Sequence, residues 1–233
     1  MKWFLEKSGG TDGDSIAQVL GSAIHAFAAL MVQEEGITES VLIEKLKKSW
    51  NLIDPQEGWV SKTSQEKAIA MITRFMKYHI KHEREVVGVE LGFDVTVGKA
   101  RIRGTVDRLE VDSAGNLFVI DFKTSKSPIS YEKAEQNLQL KSYQIAISEG
   151  GFKAHHASTT SSGAALIYLG HDIQKISSRE QGVIDLEGAR AEIENIAQSM
   201  GAAQFVAATN SRCKECPVKS SCPIKAEGHT VIE

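Results

Sequence analysis

The sequence predicts an α/β fold, a small mixed central β-sheet flanked by helices and preceded by an N-terminal helical portion. Three observations carry this. Apolar residues recur at the helical period before residue 86, the middle of the chain switches to β-rich runs broken by turn chemistry, and helical spacing then returns around one further strand. The chain has 233 residues, 27 Lys+Arg against 30 Asp+Glu, 42% hydrophobic and 24% charged residues. That is a folded globular composition, long enough to bury a core.

The elements follow in order. From Asp14, which can cap, Ile16, Val19, Leu20, Ala23, Ile24, Phe27, Leu30 and Met31 form one apolar stripe. Thr38 can cap a second helix carrying Leu42, Leu46 and Trp50, and Thr63 with Glu66 reads as the capping box of a third, running through Ile69, Ile72, Met76 and Ile80. Strands are expected at residues 86–97, 100–111 and 116–124, separated by Val97-Gly98-Lys99 and Asp112-Ser113-Ala114-Gly115. A helix over about Tyr131–Glu149 stops at Gly150-Gly151, the polar stretch Lys153–Gly163 reads as a loop, Ala164–Leu169 as a strand, and Asp185 to about Met200 as a last helix. The expected organisation is one domain over 1–233: a helical portion at 1–85, an α/β core at 86–210 and a cysteine-containing tail at 211–233.

Several classes are excluded or disfavoured. No run of ~18 apolar residues exists to span a membrane, and MKWFLEKSGG lacks the features of a signal peptide. Three cysteines crowded into positions 213–222 do not make a secreted disulfide framework, so a reducing cytoplasm is expected. The net charge of −3 by itself gives no sign of nucleic-acid affinity and would point to a small-molecule enzyme. Gly92…Gly98-Lys99-Ala100 has the wrong spacing for a phosphate loop, so the chain carries no ATPase motor.

Asp107 and Asp121 each lie seven residues from Ala114. If the turn is centred there, they are directly opposed across two antiparallel strands, with Lys123 on the same face as Asp121. Opposed carboxylates repel unless a proton or cation lies between them, and hard oxygen ligands suit Mg²⁺ or Mn²⁺. The plainer alternative pairs Asp107 with Arg108 or Arg103, and Asp121 with Lys123, on a solvated face. Against it, Asp121 interrupts Leu117-Phe118-Val119-Ile120 and Phe122, where a charge needs compensation. His25 lies opposite the apolar stripe of its helix, among Ala17, Gly21, Ala28 and Ala29, small residues that admit another layer.

Gly104-Thr-Val-Asp107-Arg108 followed by Ile120-Asp121-Phe122-Lys123-Thr124 resembles the core of the PD-(D/E)XK nucleases in their RecB-like branch. Gly21-Ser-Ala-Ile-His25, Gly88-Val-Glu90-Leu-Gly and Gln139-Leu-Lys-Ser-Tyr143 match the other motifs in order, over residues 3 to about 223. The resemblance implies a restriction-endonuclease-like core and a DNA nuclease, exonuclease rather than endonuclease, acting on single-stranded or fraying ends. His25, Asp107, Asp121 and the Phe122 carbonyl would hold the metal, and Lys123 would orient and help deprotonate water or neutralise phosphorane charge. Gln139 and Tyr143, one helical turn apart, would touch phosphate or brace Lys123, and Glu90 would orient a ligand or pair at the strand edge. Rival readings are a stand-alone CRISPR-associated exonuclease, an inactive DNA-binding scaffold and a small-molecule metallohydrolase.

Cys213, Cys216 and Cys222, spaced C-x₂-C-x₅-C, read as metal ligands. Resemblance to the AddB and AdnB helicase–nucleases implies a [4Fe-4S] cluster whose first cysteine precedes the Lys2-Trp3-Phe4-Leu5-Glu6 segment, with helicase motor domains or a partner subunit outside this chain. The cluster is then expected to be incomplete here. Zinc on the three cysteines and His229 is the alternative. His155, His156 and His171 read as loop residues, and Lys45, Lys47, Lys48 and Lys126 as candidates for a phosphate channel.

Overall fold

The computed structural model describes residues 16–34, 36–81, 83–171, 176–202, 209–210, 213–216, 219, 222 and 224. Asp14, the expected first cap, and His229 lie outside them. The chain divides into two compact units, Ser15–Glu194 and the pair of segments Met1–Asp14 and Asn195–Glu233.

The larger unit opens with three helices, α1 (Ile16–Gln33), α2 (Glu39–Ile53) and α3 (Trp59–Lys81). The stripe residues Leu42, Leu46, Trp50, Ile72 and Met76 are buried, as their period requires, whereas Ile80, at the end of α3, is exposed and Phe75 is buried in its place. Thr63 is not a cap: α3 begins four residues earlier, and the Thr63 hydroxyl donates to the Trp59 carbonyl inside the helix. Thr38 does occupy the N-cap of α2, but its hydroxyl meets Ser40 rather than a backbone N–H.

Next come β1 (Glu85–Val97), β2 (Ala100–Val111) and β3 (Leu117–Lys123), then α4 (Tyr131–Glu135) and α5 (Leu138–Ser148). The single helix expected over 131–149 is thus two. Asn137 breaks it, its side chain accepting the Leu140 N–H as a fresh N-cap, and Ser130 caps α4 through the Lys133 N–H. β4 (Ser161–Tyr168) starts three residues before the expected Ala164, and β5 (Ser177–Gln181) is an unforeseen strand. Its sequence, SSREQ, offers neither β-branched residues nor apolar alternation, so only pairing with β4 makes it a strand. α6 (Leu186–Gly201) follows.

The five strands lie in the order β1-β2-β3-β4-β5; β3 and β4 are parallel and every other neighbouring pair is antiparallel. The β2–β3 register matches a turn centred on Ala114, and Asp112 accepts the Ala114 and Asn116 N–H groups to shape it. Each face of the sheet has its own core. α1, α2 and α3 cover Phe118, Ile120, Phe122, Ala165 and Ile167, while Leu140, Tyr143 and Ile147 of α5 cover Leu117, Val119, Leu166 and Tyr168. This sandwich explains why β3 is apolar on both faces except at Asp121.

Candidate active site

The pairing of β2 with β3 ends at Arg108↔Ile120, one residue short of Asp107 and Asp121. Beyond that point the Asp107 side chain substitutes for a strand: its Oδ2 accepts the Phe122 N–H at 2.6 Å. Parting of the strands opens a gap that residues from both helical layers can reach.

From one layer comes His25 on α1, whose Nδ1 lies 3.2 Å from Asp107 Oδ1. The small residues flanking it serve this approach: a Cβ on Gly21 would touch the Thr124 hydroxyl at 3.4 Å, just past the end of β3. Glu90 joins the pair. It falls between the paired residues Val89↔Arg108 and Leu91↔Val106, opposite Asp107, and its φ of +50° is the one left-handed non-glycine backbone among the described residues. Such strain concentrates at functional sites. One ligand atom each from His25, Glu90 and Asp107 lies within 4.8 Å of the others, the one such set of three among the described residues.

From the other layer come Gln139 and Tyr143 on α5. Asp121, only 3% exposed, accepts from the Tyr143 hydroxyl at 3.0 Å and from Gln139 Nε2 at 2.8 Å, both through Oδ1. Its Oδ2 faces the Lys123 ammonium, whose Nζ lies 2.7 Å away as an ion-pair partner. Gln139 links the group by also accepting from Lys123 Nζ at 3.0 Å.

Electrostatics follow from this crowding. Burial pushes the Asp121 carboxyl above its usual range, Asp107 adds to the effect, and Lys123 and Tyr143 only partly offset it. Glu90 is raised by burial and then by Asp107. Burial works against the charge of His25, yet the bond to Asp107 and the charges of Asp107, Asp121 and Glu90 outweigh it, leaving its pKa above 6.5. The two acids Glu90 and Asp107 and the imidazole of His25, with the buried Asp121 carboxylate beside them, are a donor set that fits a hard divalent cation.

The pairing of Asp107 with arginine is not what forms. Arg103 is held by Asp94, and Arg108 points to Glu110 and His79. Lys123 does pair with Asp121, but in a buried setting rather than on a solvated face. Asp121 stands outside the set formed by His25, Glu90 and Asp107, and Phe122 meets Asp107 through its amide.

Two supports were not visible in the sequence. The Leu169 and Gly170 N–H groups both donate to the Lys123 carbonyl, at 2.8 and 3.3 Å, and Arg74 on α3 holds the Leu169 carbonyl at 2.7 Å. A Cβ on Gly170 would stand 1.9 Å from the Thr124 carbonyl oxygen, so only glycine fits. His171, expected as a loop residue, contacts the Lys126 carbonyl at 2.7 Å through Nδ1. Cys213, Cys216 and Cys222 form no disulfide and are half-buried, and Cys213–Glu215 is a short 3₁₀ turn. No helix among the described residues is long and apolar enough to cross a membrane.

A family model, that of the PD-(D/E)XK nuclease superfamily, matches residues 1–223. No curated protein matches. Among solved structures, one described as SSO0001 is similar at 19% identity over 89% of this chain and 95% of its own, with a TM-score of 0.43. Another, from Eubacterium rectale and described as a "Putative exonuclease", is similar at 13% identity over 91% of this chain and 84% of its own, with a TM-score of 0.47.

Proposed function

The chain belongs to the PD-(D/E)XK nuclease superfamily, and from that premise we propose that it is a Mg²⁺- or Mn²⁺-dependent deoxyribonuclease of the RecB-like branch. It trims single-stranded or fraying DNA ends as the nuclease domain of a cytoplasmic helicase–nuclease in double-strand-break repair. The observation that carries the reading is the gap between β2 and β3, where His25, Glu90 and Asp107 converge beside the Asp121–Lys123 pair.

In this reading His25, Asp107 and Asp121, with the Phe122 carbonyl and Glu90 adjoining, hold the divalent cation. When bound, that cation polarises the phosphoryl oxygen and lowers the pKa of water. The rest is done by the chain. Lys123 orients the attacking water and neutralises charge on the phosphorane as the phosphodiester opens by in-line displacement. Gln139 holds Lys123 Nζ beside Asp121, and both Gln139 and Tyr143 donate to Oδ1 of that carboxylate. Each keeps a rotamer-rich side chain in one place before substrate arrives. Cys213, Cys216 and Cys222 are proposed as thiolates of a structural iron–sulfur or zinc site, a reading that rests on their C-x₂-C-x₅-C spacing.

End-labelled single- and double-stranded DNA, incubated with Mg²⁺, Mn²⁺ or EDTA, tests the proposal. Cleavage should require the metal and fall ~10²–10⁴-fold in Asp121→Ala and Lys123→Ala. Absence of metal-dependent cleavage, or cleavage that ignores both substitutions, refutes it and leaves a DNA-binding scaffold.

A further inference from the structure

The row of the sheet that contains Asp121 continues across two more strands. Asp121 is opposite Leu166 on β4, and Leu166 is opposite Arg179 on β5. Residues directly opposed in a sheet share a face, so Arg179 projects on the side of the site where Tyr143 and Gln139 lie, ~10 Å from Asp121 at the Cα. The next row reads Lys123, Tyr168, Ser177.

The segment leaving Lys123 folds back over these rows and is held at several points. Tyr168 Oη accepts the Ile129 N–H at 3.3 Å, Arg179 Nε donates to the Ile129 carbonyl at 2.6 Å, and Ser130 caps α4. The segment ends at Tyr131. Its ring is covered by the Arg179 guanidinium, with Cζ 4.1 Å from the ring centroid, yet the residue remains 68% exposed. Arg179 is itself pinned, donating through Nη1 to the Ser178 carbonyl at 2.7 Å and to the Ser177 hydroxyl at 3.2 Å.

An exposed aromatic ring backed by a fixed cation and carried on a tethered segment is a stacking platform with one open face. We propose that Tyr131, positioned by Arg179, stacks a nucleobase of the single strand whose phosphate lies at the Asp121–Lys123 site, about one or two nucleotides from the cut. Nucleobases are the partners that fit: every base offers a π-face, stacking is sequence-tolerant, and the distance suits an extended strand passing the catalytic row. Packing alone does not account for the arrangement, because most of the Tyr131 surface stays in water. The proposal rests on the nuclease reading for the identity of the strand and adds to it a specific base contact.

The test uses the full chain in a Lys123→Ala background with Mg²⁺, so that an oligonucleotide probe stays uncut, and reads binding by anisotropy. Tyr131→Ala should weaken single-strand binding on the order of 5- to 150-fold, while Tyr131→Phe and Tyr131→Trp stay within ~2-fold. A 2-aminopurine moved along the probe should be quenched at one position in the Tyr131 protein and not in Tyr131→Ala. An abasic site at that position should weaken the Tyr131 protein and leave Tyr131→Ala unaffected. Equal binding by Tyr131 and Tyr131→Ala proteins, or equal impairment of Phe and Ala variants, overturns the platform while leaving the nuclease reading intact. Failure of the Tyr131 protein to bind any single strand, with no cleavage by the unsubstituted chain, overturns both.

Discussion

Gly170→Ala is the substitution whose consequence can be worked most directly from the structure. The new Cβ would stand 1.9 Å from the Thr124 carbonyl oxygen and 2.5 Å from its carbon, where about 3.0 Å is the closest that real Cβ atoms come. The backbone must therefore yield by about 1 Å, and because both atoms are main chain no rotamer change relieves the clash. Two N–H bonds to the Lys123 carbonyl sit at the same place, so the displacement reaches the residue next to Thr124. Overpacking of this kind costs ~1–3 kcal/mol, which at this chain length lowers the melting temperature by ~2–12 °C. The larger effect is on catalysis, since a 1 Å misplacement of a positioned group costs ~10²-fold in rate. The assay is thermal unfolding alongside metal-dependent cleavage at a temperature where the variant stays folded. Gly182→Ala, whose Cβ would meet nothing within 4 Å, is the control and should behave as the unsubstituted chain. Equal melting points and equal rates for the two variants would show that the end of β4 does not hold Lys123 in place.

Two further predictions concern buried charge. In the metal-free protein the His25 pKa is raised above its unfolded value of 6.5. Its contribution to stability is thus full below pH 6.5 and is lost as pH rises through the raised pKa. Melting of EDTA-treated samples against His25→Gln should show the advantage of the unsubstituted chain shrinking from acid to alkaline pH, and an advantage that is flat or grows would contradict this. Arg108 and Glu110, both 0% exposed and 2.7 Å apart, form a buried ion pair. Glu110→Gln should destabilise by ~3–5 kcal/mol in denaturant unfolding, and Arg108→Met with Glu110→Leu should recover much of that loss. If the double variant is no better than the single, a uniquely required polar network replaces this account.

Much of the site was legible because it is built from local rules. Turn chemistry at Asp112–Gly115 sets the β2–β3 register, and a charge inside an apolar run marks Asp121. A histidine among small residues marks a helix face that another layer approaches, and His25 does reach Asp107. Features that depend on tertiary partners were not legible. β5 exists because β4 offers it an edge, and the break between α4 and α5 is held by Gln181 of β5, whose Nε2 donates to the Ala134, Glu135 and Asn137 carbonyls. The capping box at Thr63 was misplaced because α3 begins at Trp59, where the buried Ser61 hydroxyl accepts the indole N–H of Trp50 from α2.

The sequence by itself determined the fold class, the β2–β3 register and the family, because periodicity, turn residues and short motifs act over a few positions. The net charge of −3 gives no sign of nucleic-acid affinity, yet three of the acids behind it, Glu90, Asp107 and Asp121, lie at the gap or beside it, where the proposed cation would compensate them. Only the tertiary structure decided that Glu90 joins His25 and Asp107 while Asp121 turns to Lys123, Gln139 and Tyr143, and that Arg179 lies on the sheet row of Asp121, against the ring of Tyr131. Those outcomes depend on where β2 leaves β3 and on which strand lies next to β4. Residues far apart in sequence settle both, and no local pattern encodes them.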